Sequence, residues 1–259
     1  MSERKIMTFN IRVPSDQDGE NHARFRSERI LSMLRREEPD VIGFQEVTDD
    51  VWDWLEQALL PDYCLLGCGR YADCRGEGTP IAFRRDRFRL HGMERFWLSD
   101  TPRIPGSRYE GSDQSHCPRM AVSLLLQERE TGAFVTVVNT HTDHRGEQSR
   151  ILAMRQLLEY LRSKQGHRIL MGDLNALPDS EEICTFRQGS APLGIQDVSA
   201  DSGVTFHGFG HAEHPAKIDY LFTDLPAVEC HAVSEHPTDG LYYSDHYAIV
   251  ATLRFSDLG

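Results

Sequence analysis

The fold is decided by the stretch Arg168-Ile169-Leu170-Met171-Gly172-Asp173-Leu174-Asn175-Ala176. It is an apolar run of strand type that stops at a glycine and continues with a carboxylate and an amide two residues apart. Because side chains at i and i+2 share one side of an extended backbone, Asp173 and Asn175 can reach the same small volume. That volume suits a hydrated divalent cation or a phosphoryl oxygen. Alone, the motif is more typical of an Asx turn after a strand, and the residues elsewhere in the chain favour the functional interpretation.

Length and charge narrow the class of protein. At 259 residues the chain is long enough for one large α/β domain or two small ones, and we expect a single domain over 1–259 because no linker or repeat is visible. The formal net charge is -12. Proteins whose main partner is duplex DNA usually carry a basic surface, so this charge argues against a nucleic-acid partner, although a local basic patch would still allow one.

The sequence predicts a cytoplasmic protein without a membrane span. No segment has the length and apolarity of such a span, and Met1 leads almost directly into a strand-like segment at 6–11, which leaves no room for a signal peptide. In the cytoplasm its cysteines are expected to be thiols. Cys64, Cys68 and Cys74 could bind zinc, but their spacing contains no CxxC pair and thiols are favoured.

Residues of catalytic type stand at or near the ends of further predicted strands: Asn10, Glu46, His141, Asp219, Asp245 and His246. Glu46 ends the apolar run 41–47, where a buried charge needs a partner or a metal. His141 and His144, with Asp143 between them, resemble metal ligands, but a hydrogen bond from His141 to a developing oxyanion is favoured. His246 with Asp219 or Asp245 would make a poised base. Taken singly, each of these residues also has a turn or surface interpretation.

Other elements are predicted from periodicity and composition. Apolar residues at helical spacing indicate helices that end at Pro39 and Pro61, and a third helix over 148–164. The segments 79–84 and 88–91 are predicted to pair as a hairpin, with Glu77 just before it. Residues 99–118, rich in Pro, Gly, Ser and charge, are predicted to form a loop at the rim of a site.

The roles of two groups of basic residues remain open. Arg119 follows the loop and is either a surface cation or a phosphate contact. His207, His211 and His214 could bind a metal, but no carboxylate nearby in sequence would orient them, and solvated histidines are favoured.

Taken together and in this order, the units from Met7-Thr8-Phe9-Asn10 to Ser244-Asp245-His246 resemble the endonuclease/exonuclease/phosphatase superfamily. Gly43-Phe44-Gln45-Glu46-Val47, Phe96-Trp97-Leu98-Ser99 and Asn139-Thr140-His141 are similar to a small bacterial branch of it. The resemblance implies a deoxyribonuclease I-like, four-layer α/β/β/α sandwich with two packed mixed β-sheets. It also implies a site where the strand ends of both sheets meet.

The resemblance further implies roles for the residues. Glu46 would be the principal Mg²⁺ ligand, with Asn10 and Asp245 completing the shell through waters and Mn²⁺ able to substitute. Asp173 would position or deprotonate the attacking water, or bind metal. Phosphate oxygens would be held by Asn175, His141 and Arg119. His246 would act as general base or transition-state donor, oriented by Asp219, and Glu77 would be the partner of His141.

Three functions are compatible with these residues. The first is hydrolysis of a phosphodiester or phosphomonoester, on a small or lipid-like substrate, by in-line attack of water. The second is a metal-dependent nuclease, which would need a basic groove along one side of the site, formed by Arg103, Arg108, Arg119 and Arg145. The third is an inactive binding module on the same scaffold, which is disfavoured because every site position carries a competent residue.

Overall fold

The structure, a computed structural model, describes residues 1–236 and 240–256 and is built around two six-stranded β-sheets. Sheet one contains β1 (Ser2–Asn10), β2 (Val41–Gln45), β3 (Tyr63–Leu66), β4 (Ile81–Arg84), β11 (Ala227–Ala232) and β12 (Ile249–Phe255), in the spatial order β11-β12-β1-β2-β4-β3. Sheet two contains β5 (Phe88–Trp97), β6 (Met120–Glu128), β7 (Phe134–His141), β8 (His167–Asp173), β9 (Gln196–Asp197) and β10 (Asp219–Thr223), in the order β5-β6-β7-β8-β10-β9. The helices are α1 (Ala23–Glu37), α2 (Asp49–Leu59), α3 (Glu147–Arg162) and α4 (Glu181–Ser190).

The sheets pack face to face with helices outside them. Ile6 of β1 and Ile169 of β8 belong to the apolar cluster between the sheets, whereas Met7 packs on the opposite face with residues of α1 and α2. Residues of α3 and α4 cover the outer face of sheet two. Strand β2 is therefore buried on both faces, which explains its nearly continuous apolar sequence. The predicted four-layer α/β/β/α sandwich is confirmed.

The predicted hairpin between 79–84 and 88–91 is wrong. Strand β4 lies in sheet one and pairs antiparallel with both β2 and β3, so neither of its edges is free. Strand β5 lies in sheet two and pairs with β6. The short segment between β4 and β5 therefore connects the two sheets. Two strand-forming segments on either side of a turn look the same in the sequence whether they pair with each other or belong to different sheets.

The segment 98–119 contains no helix or strand, as predicted for a loop, yet hydrogen bonds hold it in place. Asp113 accepts the backbone N–H of Ser149 at the start of α3, at 3.0 Å. Asp143 accepts the backbone N–H and the hydroxyl of Ser115 at 3.2 and 2.5 Å, and the N–H of Gly146 at 2.8 Å. These carboxylates fasten the loop to the end of β7 and to α3, next to the candidate site.

Among residues 1–236 and 240–256, no helix combines the length and the apolarity that crossing a membrane requires.

Candidate active site

Strand register places three of the predicted site residues in one row. His141 of β7 lies beside Asp173 of β8 in the parallel pairing, and Asp219 of β10 lies opposite Asp173 in the antiparallel pairing. Asn10, at the end of β1, is in register with Gln45, directly before Glu46 in the chain. Both sheets thus present polar side chains at the same end of the sandwich, as expected where strands run out into loops.

Local backbone geometry at this end depends on residues that tolerate unusual angles. Gly172 has a φ of +146°, and a Cβ there would lie 1.9 Å from the carbonyl oxygen of Thr140, so only glycine fits before Asp173. Glu46 and Asn175 have φ values of 62° and 47°, a region that side chains other than glycine seldom adopt. Such conformations cost energy and cluster at functional sites.

The Asn10 side chain links the acids of the two sheets. Its Nδ2 donates to Glu46 Oε1 at 3.1 Å and to Asp173 Oδ2 at 3.0 Å. Its Oδ1 accepts the backbone N–H of Arg12 at 3.0 Å, and Glu46 Oε2 accepts the N–H of Val13 at 2.7 Å. The structure therefore turns an N–H of Asn10 toward the acids, whereas the predicted metal-shell role needs its oxygen.

Asp173 combines the two interpretations offered by its sequence motif. Its Oδ1 accepts the backbone N–H of Asn175 at 2.9 Å, which is an Asx turn. Its Oδ2 faces two imidazoles, with Nε2 of His141 at 3.6 Å and Nε2 of His246 at 3.8 Å. The turn fixes the carboxylate so that Oδ2, which also accepts the hydrogen bond from Asn10, faces the two histidines.

His246 is held by Asp219. Its Nδ1 lies 2.8 Å from Asp219 Oδ2, and both side chains are buried. The ligand atoms of Asp173, Asp219 and His246 all lie within 4.8 Å of one another, so this trio could itself surround a cation. The short hydrogen bond and the 3.8 Å contact of Nε2 with Asp173 fit better with an imidazole held between two carboxylates.

Burial and charge shift the titration of this trio. Burial, followed by the charge of Asp219, raises the pKa of Asp173 to about 7. Burial would lower the pKa of His246, but the carboxylates around it, with Asp219 contributing most, raise it to about 10. Burial and the nearby guanidinium groups of Arg119 and Arg70 lower the pKa of His141 well below its usual range. At neutral pH the site therefore combines a charged His246 with a neutral His141, beside an Asp173 carboxyl whose pKa is raised toward neutral pH.

Three arginines also line the site. Nη2 of Arg119 lies 2.9 Å from Nδ1 of His144, and its Nε lies 3.6 Å from Oδ2 of Asp143. Arg70 projects from the glycine-rich segment 67–78, and Arg12 from the segment after β1, with its Nε 3.6 Å from Asp245. Sequence reasoning identified Arg119 but missed Arg12 and Arg70, since an arginine in a loop carries no periodic signal; the glycines around Arg70 were the only available clue.

The predicted pairing of Glu77 with His141 is not what the structure contains. Glu77 Oε1 instead accepts a hydrogen bond of 2.6 Å from Nη2 of Arg70. Burial raises the pKa of Glu77, and the charge of Arg70 opposes that shift. The guanidinium outcompetes the imidazole because it is a permanently charged donor, whereas the pKa of His141 is too low for that ring to be cationic.

These side chains surround one cavity of about 430 Å³. The predicted residues that line it are Glu46, Glu77, Arg119, His141, Asp173, Asn175, Asp245 and His246. Asn10 and Asp219 contact this group from behind through the hydrogen bonds described above.

Several alternative sites from the sequence do not form in the described part of the chain. Of the four arginines proposed for a nucleic-acid groove, Arg119 lines the cavity while Arg103, Arg108 and Arg145 do not. His207 is buried and stacks on Tyr247 with ring centroids 4.0 Å apart, whereas the side chain of His214 is 90% exposed. The trio His207, His211 and His214 therefore does not converge. The cysteines are free thiols, and none belongs to a metal-binding cluster among the described residues.

Comparison with known proteins assigns the family. The sequence profile of the endonuclease/exonuclease/phosphatase family matches residues 7–246. The chain belongs to the endonuclease/exonuclease/phosphatase family. Members of this family are hydrolases of phosphoric esters, and this family member is assigned to that enzyme class.

Solved structures of the family have the same fold. An endonuclease/exonuclease/phosphatase from Bacteroides vulgatus is 26% identical, with a TM-score of 0.88 over 99% of this chain and 100% of the other. A mannosyl-6-phosphatase from Bacteroides thetaiotaomicron is 22% identical, with a TM-score of 0.84 over 97% and 100% of the two chains. D. rerio TDP2, in complex with a single-strand DNA product, is 19% identical, with a TM-score of 0.77 over 98% and 100%.

Proposed function

We propose that the protein is a Mg²⁺-dependent phosphoesterase that hydrolyses a small or lipid-like phosphoester by in-line attack of water. The proposal rests on the observation that polar side chains from both sheets meet at one cavity. Sheet two contributes the buried row His141, Asp173 and Asp219, with His246 clamped by Asp219. Sheet one contributes Glu46, which Asn10 links to Asp173. Acids that suit a divalent cation thus lie beside donors that suit a phosphate.

The donor set fits Mg²⁺. Glu46 and Asp245 would hold the ion, since carboxylate oxygens are the hard ligands that it prefers. Burial, together with the charge of Glu46, raises the pKa of Asp245 even with Arg12 nearby, which is the behaviour of acids that lack sufficient counter-charge. When bound, Mg²⁺ would neutralise negative charge that develops on the phosphoryl group, and Mn²⁺ is expected to substitute.

The protein's own residues would perform the proton and charge steps. Asp173 is placed to take a proton from the attacking water, and its raised pKa brings it near neutral pH, where a general base is most effective. Protonated His246 would donate from Nε2 to a phosphoryl oxygen while Asp219 holds Nδ1. Neutral His141 and the Nδ2 of Asn175 would donate to the other phosphoryl oxygens. Donors fixed before the reaction stabilise its charge at little reorganisation cost.

A small or lipid-like substrate is preferred over nucleic acid for two reasons. The chain has a net charge of -12, and of the arginines that would form a nucleic-acid groove only Arg119 lines the cavity. The likeness to a mannosyl-6-phosphatase agrees with a small substrate. The likeness to TDP2 with its DNA product supports the alternative, a metal-dependent nuclease on DNA or RNA, which would show a steep loss of activity with salt.

The test is a panel of sugar phosphates, nucleotides, oligonucleotides and phospholipids, assayed with Mg²⁺, with Mn²⁺ and with a chelator. We expect hydrolysis of a small or lipid phosphoester that the chelator abolishes. Glu46→Gln and His246→Asn should each lower kcat by ~10²–10³, the usual cost of one well-aimed charged group. Glu213→Gln and His214→Asn are matched controls, because both side chains are 90% exposed and neither lines the cavity. Metal-independent hydrolysis, or full activity of the Glu46 and His246 variants, would refute the proposal.

A further inference from the structure

Two cysteines flank the part of the chain that brings Arg70 to the active site. Cys68 precedes Arg70 and Cys74 follows it, both within the segment 67–78. Arg70 lines the large cavity, and its backbone carbonyl accepts a hydrogen bond of 2.6 Å from Nε1 of Trp97. A covalent change at the two cysteines would therefore act on a segment that contributes to the site.

The backbone folds this segment so that the cysteines come together. The N–H of Gly69 donates to the carbonyl of Cys74 at 2.9 Å, and the N–H of Cys74 donates to the carbonyl of Tyr71 at 2.8 Å. A Cβ at Gly69 would lie only 2.2 Å from the carbonyl carbon of Arg75, so the chain at residue 69 lies directly against the chain at residues 74 and 75. A disulfide requires Cα atoms within about 7 Å of each other, and this close approach of the backbone favours one.

The side chains of the two cysteines also meet. The thiol of Cys68 shares a hydrogen bond with the thiol of Cys74 and accepts one from the guanidinium of Arg95. Both thiols are partly exposed, and both pack on the apolar cluster between the sheets. Because the sulfurs are already neighbours, a short movement would bring them to the bond length of about 2.05 Å.

Titration should set the rate at which this pair reacts. Burial raises the pKa of the Cys68 thiol, and the hydrogen bond and charge of Arg95 oppose that shift. The thiolate, and not the thiol, attacks a disulfide. Oxidation through Cys68 should therefore become faster as the pH rises above neutral.

We propose that Cys68 and Cys74 form a reversible disulfide that locks the loop 68–74, which carries Arg70. This inference does not depend on the proposed function. The oxidant is a small disulfide, with oxidised glutathione as the probe. The thiolate of one cysteine attacks a glutathione sulfur and displaces one reduced glutathione, and the thiolate of the other cysteine then displaces the second. The two protein thiols are oxidised, the glutathione disulfide is reduced, and two molecules of glutathione leave with the two protons.

The experiment treats the full chain with oxidised glutathione and measures its mass before and after reduction. The oxidised protein should lose two hydrogen atoms and two of its six thiols, and should regain both on reduction. Trypsin separates the two cysteines because it cleaves after Arg70 and Arg75. Without reduction, the peptide 37–70 should therefore remain linked to the peptide 71–75. Cys68→Ser should abolish this link, whereas Cys64→Ser, which replaces the other cysteine of peptide 37–70, should preserve it.

Hydrogen exchange tests whether the bond locks the loop. The backbone amides of Gly69 and Cys74 are hydrogen-bonded within the segment, so they exchange when it opens locally. Exchange of these amides should be roughly tenfold slower in the oxidised protein, since a cross-link restricts that opening. In Cys68→Ser the same treatment should leave the exchange rates unchanged.

The chemical part of the inference is overturned by any of three results in the wild type. These are no reaction with oxidised glutathione, a glutathione adduct that persists on either cysteine, and a link that is lost in Cys64→Ser but kept in Cys68→Ser. Equal exchange rates in the reduced and disulfide-bonded proteins would overturn the locking of the loop.

Discussion

The amide pair Asn139 and Gln45 should determine how firmly the two sheets are held together beneath the site. Asn139, on β7 of sheet two, is fully buried, and its Nδ2 donates to the carbonyl of Phe44 at 2.7 Å and to those of Thr79 and Pro80 at 3.0 Å. Its Oδ1 accepts from Nε2 of Gln45, on β2 of sheet one, at 2.7 Å. Replacement by leucine, Asn139→Leu, keeps the approximate volume and removes all four contacts.

The expected loss follows from the partners left behind. Nε2 of Gln45 keeps the hydroxyl of Thr8 and the carbonyl of Gly43, both at 3.1 Å, and the carbonyl of Pro80 keeps the N–H of Phe44 at 3.0 Å. Partial satisfaction limits the loss to about 0.5–1.5 kcal/mol for each contact. For the four contacts we therefore expect the free energy of unfolding to fall by about 2–6 kcal/mol, a lowering of Tm by roughly 5–20 °C for a domain of this size.

Urea unfolding of Asn139→Leu, Gln45→Leu and the double variant measures how much the hydrogen bond between these two side chains, here called the bridge, contributes to stability. Because the two side chains belong to one hydrogen-bond network, their coupling energy in the double-mutant cycle should be about 0.5–3 kcal/mol. The control is Gln57→Leu, at an exposed position on α2, which should change the free energy of unfolding by less than about 0.5 kcal/mol. The folded variants should also lose activity, because Gln45 precedes Glu46 and Asn139 lies two residues before His141. Strict additivity of the two single substitutions would refute the bridge.

Three further outcomes are expected. In Gly172→Ala the free energy of unfolding, measured in urea, should fall by more than about 3 kcal/mol, because the new Cβ would lie 1.9 Å from a carbonyl oxygen of β7. Gly203→Ala is the control: Gly203 has a positive φ but open space around it, so the free energy of unfolding should fall by only about 1 kcal/mol. The pKa of Asp143 is about 2, because the hydrogen bonds that it accepts outweigh its burial, so its contribution to the stability of the fold is complete above pH 3.8 and is lost as the pH falls toward 2. In Asp143→Asn the midpoint of urea unfolding should therefore depend less on pH between 3.8 and 2. The same pH dependence in the variant and the wild type would contradict this assignment. Asp219→Asn should lower kcat by ~10²–10³. The double variant with His246→Asn should have a kcat only slightly lower than either single variant, because the two hydrogen-bonded side chains act together. If the two losses in kcat multiplied, the side chains would act independently.

Sequence reasoning succeeded where a local pattern determines the structure. The strand that ends in Asp173 and the helix α3 follow from short-range periodicity, and the site row follows because residues at strand ends meet at one edge of a sheet. The pairing of β4 could not be predicted in the same way. Alternating apolar residues indicate which face of a strand is buried, but they do not identify its neighbours.

The cationic side of the site was the hardest part to predict. Arg70 reaches the cavity from an irregular segment, and its position depends on close backbone contacts, such as the N–H of Arg70 to the carbonyl of Glu77 at 3.0 Å. Such contacts are long-range consequences of the fold and leave no period in the sequence. The same contacts explain why Glu77 pairs with Arg70, although its place in the chain suggested His141.

The division of the site between two sheets ties its chemistry to the packing of the sandwich. Sheet two alone would bury Asp173 and Asp219 without His246. Glu46, which follows β2, and His246, which precedes β12, both come from the ends of sheet one. Asn10 joins these halves by donating to both Glu46 and Asp173. Buried charges are tolerated only when they are paired or hydrogen-bonded, so the acids gain their full environment only when the sheets meet. A cation between Glu46 and Asp245 would offset the remaining repulsion between these two acids.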